Sequence, residues 1–263
     1  MTTSELWFDS DLNAAEHREF GAWRVSAFTR SSPYKESGNE DAIGCVAIED
    51  GLVLLAADGV GGARGGAQAS RLVLTSVAQQ LERIEEASEI REAILTGFEE
   101  ANQEIIDLGI GAATTVAVLE VRPDAVRSFH AGDSEVLVTG QRGKIKFRTV
   151  SHSPVSYLVE AGALDPEEAL EHDERNLVSN LVGMAGMSVS VTNAAALDTR
   201  DTAIVATDGL FDNLHTDEVI EIIRKGSIEE VSALLLEKVD TRMSGAELPS
   251  KPDDLSFLIV RRG

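Results

Sequence analysis

Seven short apolar runs, bounded by glycine and aspartate, constrain the fold of this chain more than any other feature of its sequence. In order they are WRVSAF, AIGCVAI, LVLLAAD, TTVAVLEV, VRSFHAGD, SEVLVT and KIKFRTV. Short runs that are rich in β-branched and aromatic residues and are closed by turn residues are typical of β-strands. From Phe20 onward, the chain is therefore predicted to form mainly short strands.

Two segments between these runs have helical spacing instead. In Gln68 to Ala87 and in Ile90 to Leu108, apolar residues recur every three to four positions, which is the period of an amphipathic helix. We expect these helices to form an antiparallel pair. A second pair is predicted near the end of the chain, over about Thr216 to Lys225 and Ile228 to Val239, before a terminal strand with the sequence LSFLIV.

Residues 153–182 differ from the strands around them. They contain two short helical pieces, VSYLVEAG and DPEEALEH, joined at Gly162, and strand patterns resume near Val189 and at Ala203 to Thr207. This part of the chain is predicted to be an inserted subdomain. Because strands occur in runs with paired helices between them, rather than in strict alternation with helices, the expected fold class is α+β with mainly antiparallel sheets.

The length of the chain suggests one domain. A chain of 263 residues can bury a sizeable core and is near the upper size for a single domain. We expect that domain over residues 20–263, preceded by an acidic and weakly patterned arm over residues 1–19. No apolar stretch approaches the roughly 20 residues that a membrane span needs, and the first residues do not resemble a signal peptide. Since Cys45 is the only cysteine, no intramolecular disulfide can form, and a cytoplasmic location is expected.

The formal net charge of the chain is −22. Nucleic acids and anionic lipids are bound mainly by lysine and arginine, so a nucleic-acid partner is not expected. The acidity fits a salt-adapted surface, because few of the 23 basic residues are lysine, and it also fits attraction of basic partners and cations. The plainest interpretation is an acidic, solvated surface that keeps the protein soluble.

Four aspartates stand at the ends of apolar runs. Asp58 closes LVLLAAD, Asp133 closes VRSFHAGD, Asp208 closes TAIVATD, and Asp253 comes just before the terminal strand. An isolated buried carboxylate is very costly, so four carboxylates in this context need cations as partners. The chain has one cysteine and five histidines that are not spaced as ligands, so the predicted cations are hard, oxygen-seeking ions, Mg²⁺ or Mn²⁺.

The sequence DGVGG, which begins at Asp58, adds a further possible ligand. Its glycines let the backbone approach an ion closely, so the carbonyl oxygen of Gly59 is a candidate. A single Asp-Gly after a strand is nevertheless more often an ordinary turn than a metal site. Asp133 could merely cap a turn, and Asp253, beside Asp254, could be a loop charge. The metal hypothesis therefore depends on the number, order and spacing of the motifs.

Six motifs follow one another along the chain. They are GNEDAIG (38–44), LLAADGVGG (54–62), GAATTVAVL (111–119), HAGDSEVLV (130–138), ATDGLFDNL (206–214) and KPDDLSFLIV (251–260). In this order they resemble the metal-dependent serine/threonine phosphatases of type 2C, in their compact bacterial form. The segment HSPVSYLVEAGALDPEEALEHDERNLVSNLVG also resembles the flap subdomain of that family, over about residues 150–185. The resemblance covers about residues 20–262.

The resemblance implies a four-layer α-β-β-α sandwich, in which two mainly antiparallel sheets are flanked by helix pairs. It places a metal cluster at one edge, between the sheets. It implies hydrolysis of phosphoserine and phosphothreonine in proteins by water that two divalent cations, Mn²⁺ or Mg²⁺, activate. The partners implied are a phosphorylated protein substrate and a cognate serine/threonine kinase, in a signalling role.

The roles of the metal ligands also follow from the resemblance. Asp58 would bridge two metals, the carbonyl of Gly59 would join one of their sites, and Asp208 with Asp253 would complete the other. Asp133 would hold a possible third ion together with Asp208.

Three further positions are assigned by the same resemblance. Asp253 is preferred over Asp254 because it stands three residues before Ser256, where the family places its ligand. Asp41 and Glu40 match an early acidic pair that orders metal-bound water.

The chain departs from the family pattern at the position of the phosphate-binding arginine, where it has Glu36. The adjacent Lys35 is expected to supply the cation, although a lysine lacks the bidentate geometry of a guanidinium. Arg30 and Arg64 are alternatives that the sequence leaves open. Val60 stands where some relatives have a histidine that acts as proton donor, so protonation of the leaving group would fall to metal-bound water.

Other functions remain open at this stage. A phosphatase-like protein could bind phosphorylated partners without turnover, as the missing arginine suggests, but the aspartates are intact. The motif Asp9-Ser10-Asp11 could belong to an aspartyl-phosphate phosphatase, although no buried strand is predicted before it. A third alternative keeps the fold and takes small phosphoesters as substrates. His130, His152 and His172 are interpreted as structural or surface residues.

Overall fold

The computed structural model describes residues 3–60, 65–170 and 172–263. In chain order, its strands are β1 (Thr3–Phe8), β2 (Glu16–Phe20), β3 (Trp23–Arg30), β4 (Ala42–Ile48), β5 (Gly51–Ala57), β6 (Gly59–Val60), β7 (Ala113–Thr114), β8 (Val116–Val121), β9 (Ala125–Ala131), β10 (Glu135–Thr139), β11 (Ile145–Arg148), β12 (Ser190–Val191), β13 (Ala195–Ala196), β14 (Thr202–Ala206) and β15 (Leu255–Arg262). Its helices are α1 (Gly65–Arg83), α2 (Ile90–Asp107), α3 (Pro154–Glu160), α4 (Pro166–Ala169), α5 (Asp208–Phe211), α6 (Thr216–Ile223) and α7 (Ile228–Met243). Gly61, Gly62 and Arg64, which were singled out in the sequence, lie outside the described residues.

Two antiparallel sheets form the centre of the fold. The first has the strand order β1-β4-β5-β8-β9-β12, and β13 also pairs with β9. The second has the order β11-β10-β14-β15-β3-β2. The short strands β6 and β7 form a separate ribbon.

Both faces of the central strands are buried. In β4, Ile43 and Cys45 belong to the core between the sheets, whereas Ala42 and Val46 pack with residues of α1 and α2. The second sheet is built in the same way, and its outer face packs with α6 and α7. The result is the four-layer α-β-β-α sandwich that was expected. Strands buried on two faces carry apolar residues at nearly every position, which explains their continuous apolar runs.

The two long helix pairs occur where the apolar spacing predicted them. The first helix begins at Gly65 rather than Gln68 and ends at Arg83, and the second spans Ile90–Asp107. In the last pair, α7 begins with a capping box in which Ser227 accepts from the backbone N–H of Glu230, and it extends to Met243. Helix ends are therefore the part of the prediction that shifted, by up to four residues.

The predicted arm over residues 1–19 is corrected by the structure, because its described part, from residue 3 onward, contributes strands β1 and β2 to the two sheets. β1 pairs with β4 along its whole length, from Thr3 opposite Ala47 to Phe8 opposite Ala42. β2 pairs with β3 in the other sheet. Each is the last strand of its sheet and has one neighbouring strand among the described residues, so its side chains are mostly half-buried. Such edge strands need no continuous apolar run, which is why the sequence pattern there is weak.

The segment between β11 and β12 holds the short helices α3 and α4, in the region where the flap subdomain was predicted. Ser153 caps α3 by accepting a hydrogen bond from the backbone N–H of Ser156 at 3.1 Å. No helix in the described part of the chain is both long enough and apolar enough to cross a membrane.

Candidate metal centre

Four strand ends meet at one edge of the sandwich, and each carries a predicted aspartate. Asp58 follows β5 and Asp133 comes after β9 in the first sheet, whereas Asp208 comes after β14 and Asp253 before β15 in the second. Burial raises the pKa of the Asp58 carboxyl well above its ordinary value, and four neighbouring carboxylates raise it further, namely Asp208, Asp41, Asp133 and Asp253. The fold therefore brings the four predicted aspartates together.

Close backbone contacts hold these strand ends together, and glycine is required at two of them. A Cβ on Gly209 would lie 1.9 Å from the carbonyl oxygen of Asp254. A Cβ on Gly59 would lie 2.3 Å from the carbonyl carbon of Gly66. Both distances are far below van der Waals contact with backbone atoms that cannot easily move. Gly59 follows Asp58, and Gly209 follows Asp208. Because neither glycine has a Cβ, the backbone next to each of these aspartates can approach its neighbour closely.

The early acidic pair is almost fully buried, with Asp41 2% and Glu40 7% exposed. The hydroxyl of Thr207 donates a hydrogen bond to Asp41 Oδ2 at 2.8 Å. Burial raises the pKa of the Asp41 carboxyl well above its ordinary value, and the charge of Asp254 adds to the effect. One oxygen of Asp41 therefore has a fixed partner, while the ionised form of the carboxyl is disfavoured by burial and by the charge of Asp254.

The carboxylates fit a divalent cation by their chemistry. Within the described residues, Glu40 Oε1, Asp41 Oδ1 and Asp133 Oδ1 are buried and have no hydrogen-bond partner. Unpaired carboxylate oxygens among like charges are stabilised by a hard cation, and an all-oxygen donor set suits Mg²⁺ or Mn²⁺. In the part of the chain that is described, however, no three His, Cys, Asp or Glu side chains are already spaced around one ion position.

A lysine that the sequence analysis missed lies among the aspartates. The Nζ atom of Lys251 is 2.5 Å from Asp208 Oδ2, 2.7 Å from Asp212 Oδ2 and 3.2 Å from Asp253 Oδ2. Burial by itself would lower the pKa of Lys251, but the three carboxylates raise it far above its ordinary value. Asp212 was missed as well, and burial together with the charge of Asp208 raises its pKa to about 6.

Signals for both residues are present in the sequence. Lys251 stands two residues before Asp253, and Asp212 follows Asp208 by one helical turn, so both are near predicted ligands.

The neighbouring residues Asp253 and Asp254 have different partners. Asp253 lies in the acidic cluster, and its side chain is 35% exposed. Asp254 is 2% exposed and accepts hydrogen bonds from the backbone N–H groups of Ser32 at 2.8 Å and Glu40 at 2.7 Å. Lys35 Nζ lies 2.7 Å from Asp254 Oδ2 and 2.6 Å from Glu40 Oε2. Asp254 thus holds the loop that precedes β4, whereas Asp253 faces the other aspartates.

Lys35 is the cation that the described structure places beside the early acidic pair. Arg30, an alternative for binding phosphate, instead pairs with Asp240 of α7. Glu36 is exposed. Arg64 lies outside the described residues.

Two of the histidines stack on each other next to the Asp133 loop. The ring centroids of His130 and His152 are 4.5 Å apart, and the backbone N–H of Gly132 donates to Nδ1 of His152 at 3.1 Å. His172 is partly exposed in the segment between β11 and β12. The stacked pair supports the loop that carries Asp133 and is mostly hydrogen-bonded to backbone and hydroxyl groups.

The alternative nucleophile motif, Asp9-Ser10-Asp11, lies in the connection between β1 and β2. Asp9 pairs with Arg71, and Asp11 Oδ1 accepts hydrogen bonds from the backbone N–H and the hydroxyl of Ser31. Both aspartates are exposed. The motif takes no part in the acidic cluster.

Comparison with known proteins identifies the family of this chain. The family Protein phosphatase 2C matches residues 30–240. Protein phosphatase PhpP of Streptococcus pneumoniae is 30% identical over 198 residues, covering 72% of this chain and 80% of that protein.

Solved structures have the same fold. The serine/threonine phosphatase of S. agalactiae superposes with a TM-score of 0.78 at 25% identity, covering 92% of this chain and 100% of that one. The catalytic domain of the phosphatase PstP, solved in complex with 2 manganese ions, superposes with a TM-score of 0.70 at 20% identity, covering 91% and 97%. At that identity the second likeness concerns the fold alone. From the family match, which extends over most of its length, the chain belongs to the protein phosphatase 2C family and is a metal-dependent serine/threonine protein phosphatase.

Proposed function

We propose that this phosphatase works at the sandwich edge where β5, β9, β14 and β15 end or begin, using two Mn²⁺ or Mg²⁺ ions. Asp58 would bridge the two ions, the carbonyl of Gly59 would join one of them, and Asp208 with Asp253 would hold the other. Asp133 would share a third ion with Asp208. The observation that carries this assignment is the position of Asp58, whose carboxyl is crowded by four other aspartates.

Asp41 and Glu40 are proposed to orient water beside the ions. Asp41 Oδ2 is held by the hydroxyl of Thr207, so Oδ1 is the oxygen left to accept a hydrogen bond from water. Glu40 Oε2 is held by Lys35, and Oε1 has no partner within the described residues. Each carboxylate is therefore fixed through one oxygen and able to position water through the other.

Lys35 is proposed to contact the phosphoryl group in place of the missing arginine. A lysine ammonium has three donors, and those of Lys35 that meet Glu40 and Asp254 leave one for a phosphoryl oxygen. Its side chain is 24% exposed, so a substrate can reach it. When bound, divalent cations supply Lewis-acid polarisation of phosphoryl oxygens and a lowered pKa of water.

The substrates are proposed to be cytoplasmic proteins that a serine/threonine kinase phosphorylates. A single, buried cysteine and the absence of disulfide bonds support a reducing compartment.

The test is hydrolysis of a phosphothreonine peptide and of p-nitrophenyl phosphate by the purified protein, with Mn²⁺, Mg²⁺, Ca²⁺ or EDTA. We expect phosphate release from the peptide with Mn²⁺ and Mg²⁺, little with Ca²⁺, whose looser coordination positions water poorly, and none with EDTA. Release from p-nitrophenyl phosphate alone would favour small phosphoesters as substrates. No release from either compound, with metal bound, would favour a protein that binds phosphorylated partners without turnover.

A further inference from the structure

Lys251 occupies the point at which three carboxylates of the site converge. Its Nζ atom lies 2.5 Å from Asp208, 2.7 Å from Asp212 and 3.2 Å from Asp253. Two of these aspartates, Asp208 and Asp253, are the ones assigned to a metal ion in the proposed function. The ammonium group of Lys251 thus forms ion pairs with the same two carboxylates that are proposed to bind a metal ion.

The position of Lys251 is fixed by its backbone as well as by its ion pairs. Its backbone N–H donates to Asn213 Oδ1 at 2.8 Å, and its carbonyl oxygen accepts from Asn213 Nδ2 at 2.8 Å. Asn213 Nδ2 also donates to the carbonyl oxygen of Gly209 at 2.9 Å, and Asn213 is fully buried. Because Gly209 follows Asp208 directly, this amide ties the backbone of the lysine to that of its main partner.

An ammonium group and a divalent ion cannot share these oxygens. A coordinated Mg²⁺ lies about 2.1 Å from its oxygen ligands, so its place overlaps that of the lysine nitrogen, and two positive charges at such a distance repel each other. The side chain of Lys251 is 17% exposed, and its four-carbon stem allows the ammonium to swing away while the backbone stays in place.

We propose that Lys251 is a tethered competitor of the metal, whose ammonium neutralises Asp208 and Asp253 when no ion is bound and must leave them before an ion binds. This proposal rests on the proposed function, since it takes the same aspartates as metal ligands. It makes the site stable without metal and lowers the apparent affinity for the ion, because only the fraction of molecules with the lysine displaced can bind it.

Lys35 provides a contrast within the same structure. Its partners, Glu40 and Asp254, are not assigned to any metal, so its ammonium can remain in place when ions bind. Competition is therefore specific to Lys251 among the two lysines near the site.

The experiment compares wild type with Lys251→Met and Lys251→Arg, and with Lys238→Met as a matched control that removes an exposed ion pair with Glu247. Mn²⁺ affinity is measured by isothermal titration calorimetry at constant pH and ionic strength, and Tm is measured in EDTA and in saturating Mn²⁺. We expect Lys251→Met to bind Mn²⁺ at least about fivefold more tightly, the lower end of typical coupling between sites. Its Tm should fall in EDTA and recover in Mn²⁺. Lys251→Arg, which keeps the charge, should not gain affinity, and the control should match wild type in Mn²⁺ affinity.

Different results would contradict different statements. Unchanged or weaker Mn²⁺ binding by Lys251→Met would overturn the competition while leaving the metal centre intact. If Lys251→Met is unfolded in EDTA but folds with Mn²⁺, the proposal is supported, because the lysine then replaces the ion in stabilising the site. Absence of Mn²⁺ binding by all of the proteins would contradict the metal centre itself, and the competition with it.

Discussion

Asp58 is the carboxyl group that lies among the largest number of other carboxyl groups in the candidate site. Its pKa is raised by burial and by four other aspartates, so its ionised form is disfavoured unless a cation is present. We predict that Asp58→Asn lowers kcat for a phosphothreonine peptide by at least about a hundredfold, since it removes the ligand proposed to bridge the ions. The same substitution should raise Tm in EDTA, because it removes one of several repelling charges.

For Asp58→Asn, kcat is expected to fall, whereas Tm in EDTA is expected to rise. A variant that is merely misfolded would lose both activity and Tm, so the pair of results separates a lost ligand from a damaged fold. Asp124→Asn, at an exposed position in the turn between β8 and β9, is the control and should change neither quantity. Wild-type turnover by Asp58→Asn would contradict the assignment of the site.

His152 provides a second prediction at the residue scale, concerning pH. Burial, with a contribution from His130, lowers the pKa of His152 from 6.5 to about 4 in the folded protein. The unfolded chain therefore binds the proton more readily between pH 6.5 and pH 4. Stability that the neutral ring contributes is present above pH 6.5 and is lost as the pH falls toward 4, by up to about 1.4 kcal/mol for each pH unit.

Urea unfolding in EDTA between pH 7 and pH 4.5 checks this prediction. Other groups, including the crowded aspartates, titrate in every protein compared. The difference between variants in how the free energy of unfolding changes with pH therefore reports on the substituted histidine. We expect His152→Asn, which can still accept from the N–H of Gly132, to lose less stability on acidification than wild type. His17→Asn changes an exposed ring and should keep the wild-type slope. Equal slopes in all three proteins would contradict the prediction.

At the scale of elements, the contact between α1 and α2 depends on Gly97. A Cβ at this position would lie 2.6 Å from Val77 Cα and 2.9 Å from Val77 N, which are backbone atoms of α1. Replacing glycine by alanine inside a helix normally stabilises it by about 1 kcal/mol. Overpacking a tight contact typically costs about 1–3 kcal/mol, and here backbone rather than a movable side chain must give way. The cost of overpacking should therefore exceed the gain in helix propensity.

We predict that Gly97→Ala lowers the free energy of unfolding by up to about 2 kcal/mol, the difference between these effects. Urea denaturation measures the change. The second substitution Val77→Ala removes the 2.8 Å contact with Val77 Cγ2 but should not restore full stability in the double variant, because the contacts with the Cα and N atoms of residue 77 remain. Glu99→Ala, at an exposed position in α2, serves as the control for helix propensity. A gain in stability from Gly97→Ala would show that the helices can move apart at little cost.

The elements that could be predicted from sequence are those buried on both faces. Every residue of β5 is buried, so GLVLLAA is recognisable as a strand without knowledge of its neighbours. The edge strands β1 and β2 were missed because each has one neighbour and a half-exposed pattern, and their existence depends on pairing with β4 and β3. Local sequence therefore predicts central strands better than the edges that complete them.

At the scale of the whole molecule, residues of the candidate site also differ in how far local sequence predicts them. The aspartates were predicted as candidates from their places beside apolar runs, and the strand ends at one edge of the sandwich bring them close together. Lys251 reaches the site through a loop whose position depends on the buried amide of Asn213, more than 30 residues earlier in the chain. Such a tertiary contact leaves no periodic signal in the sequence. The sequence shows that Lys251 stands two residues before Asp253, but its contacts with the carboxylates are visible only in the structure.

The net charge of −22 is also a property of the whole molecule, and it bears on which substrates are preferred. A strongly acidic protein attracts basic peptides over a distance that salt shortens to about 10 Å at 0.1 M ionic strength. Charge outside the site affects encounter and binding rather than the chemical step. We therefore predict that a phosphothreonine peptide flanked by arginine has a higher kcat/KM than one flanked by glutamate, mainly through a lower KM.

The measurement is kcat/KM for both peptides with Mn²⁺ at low salt and at several-fold higher salt. The preference for the arginine-flanked peptide should be at least about tenfold at low salt, and it should shrink as salt screens the attraction. A preference that salt does not alter would instead indicate short-range contacts with particular side chains near the site. A preference for the glutamate-flanked peptide would contradict the prediction and favour the interpretation in which the acidic surface serves solubility or adaptation to salt.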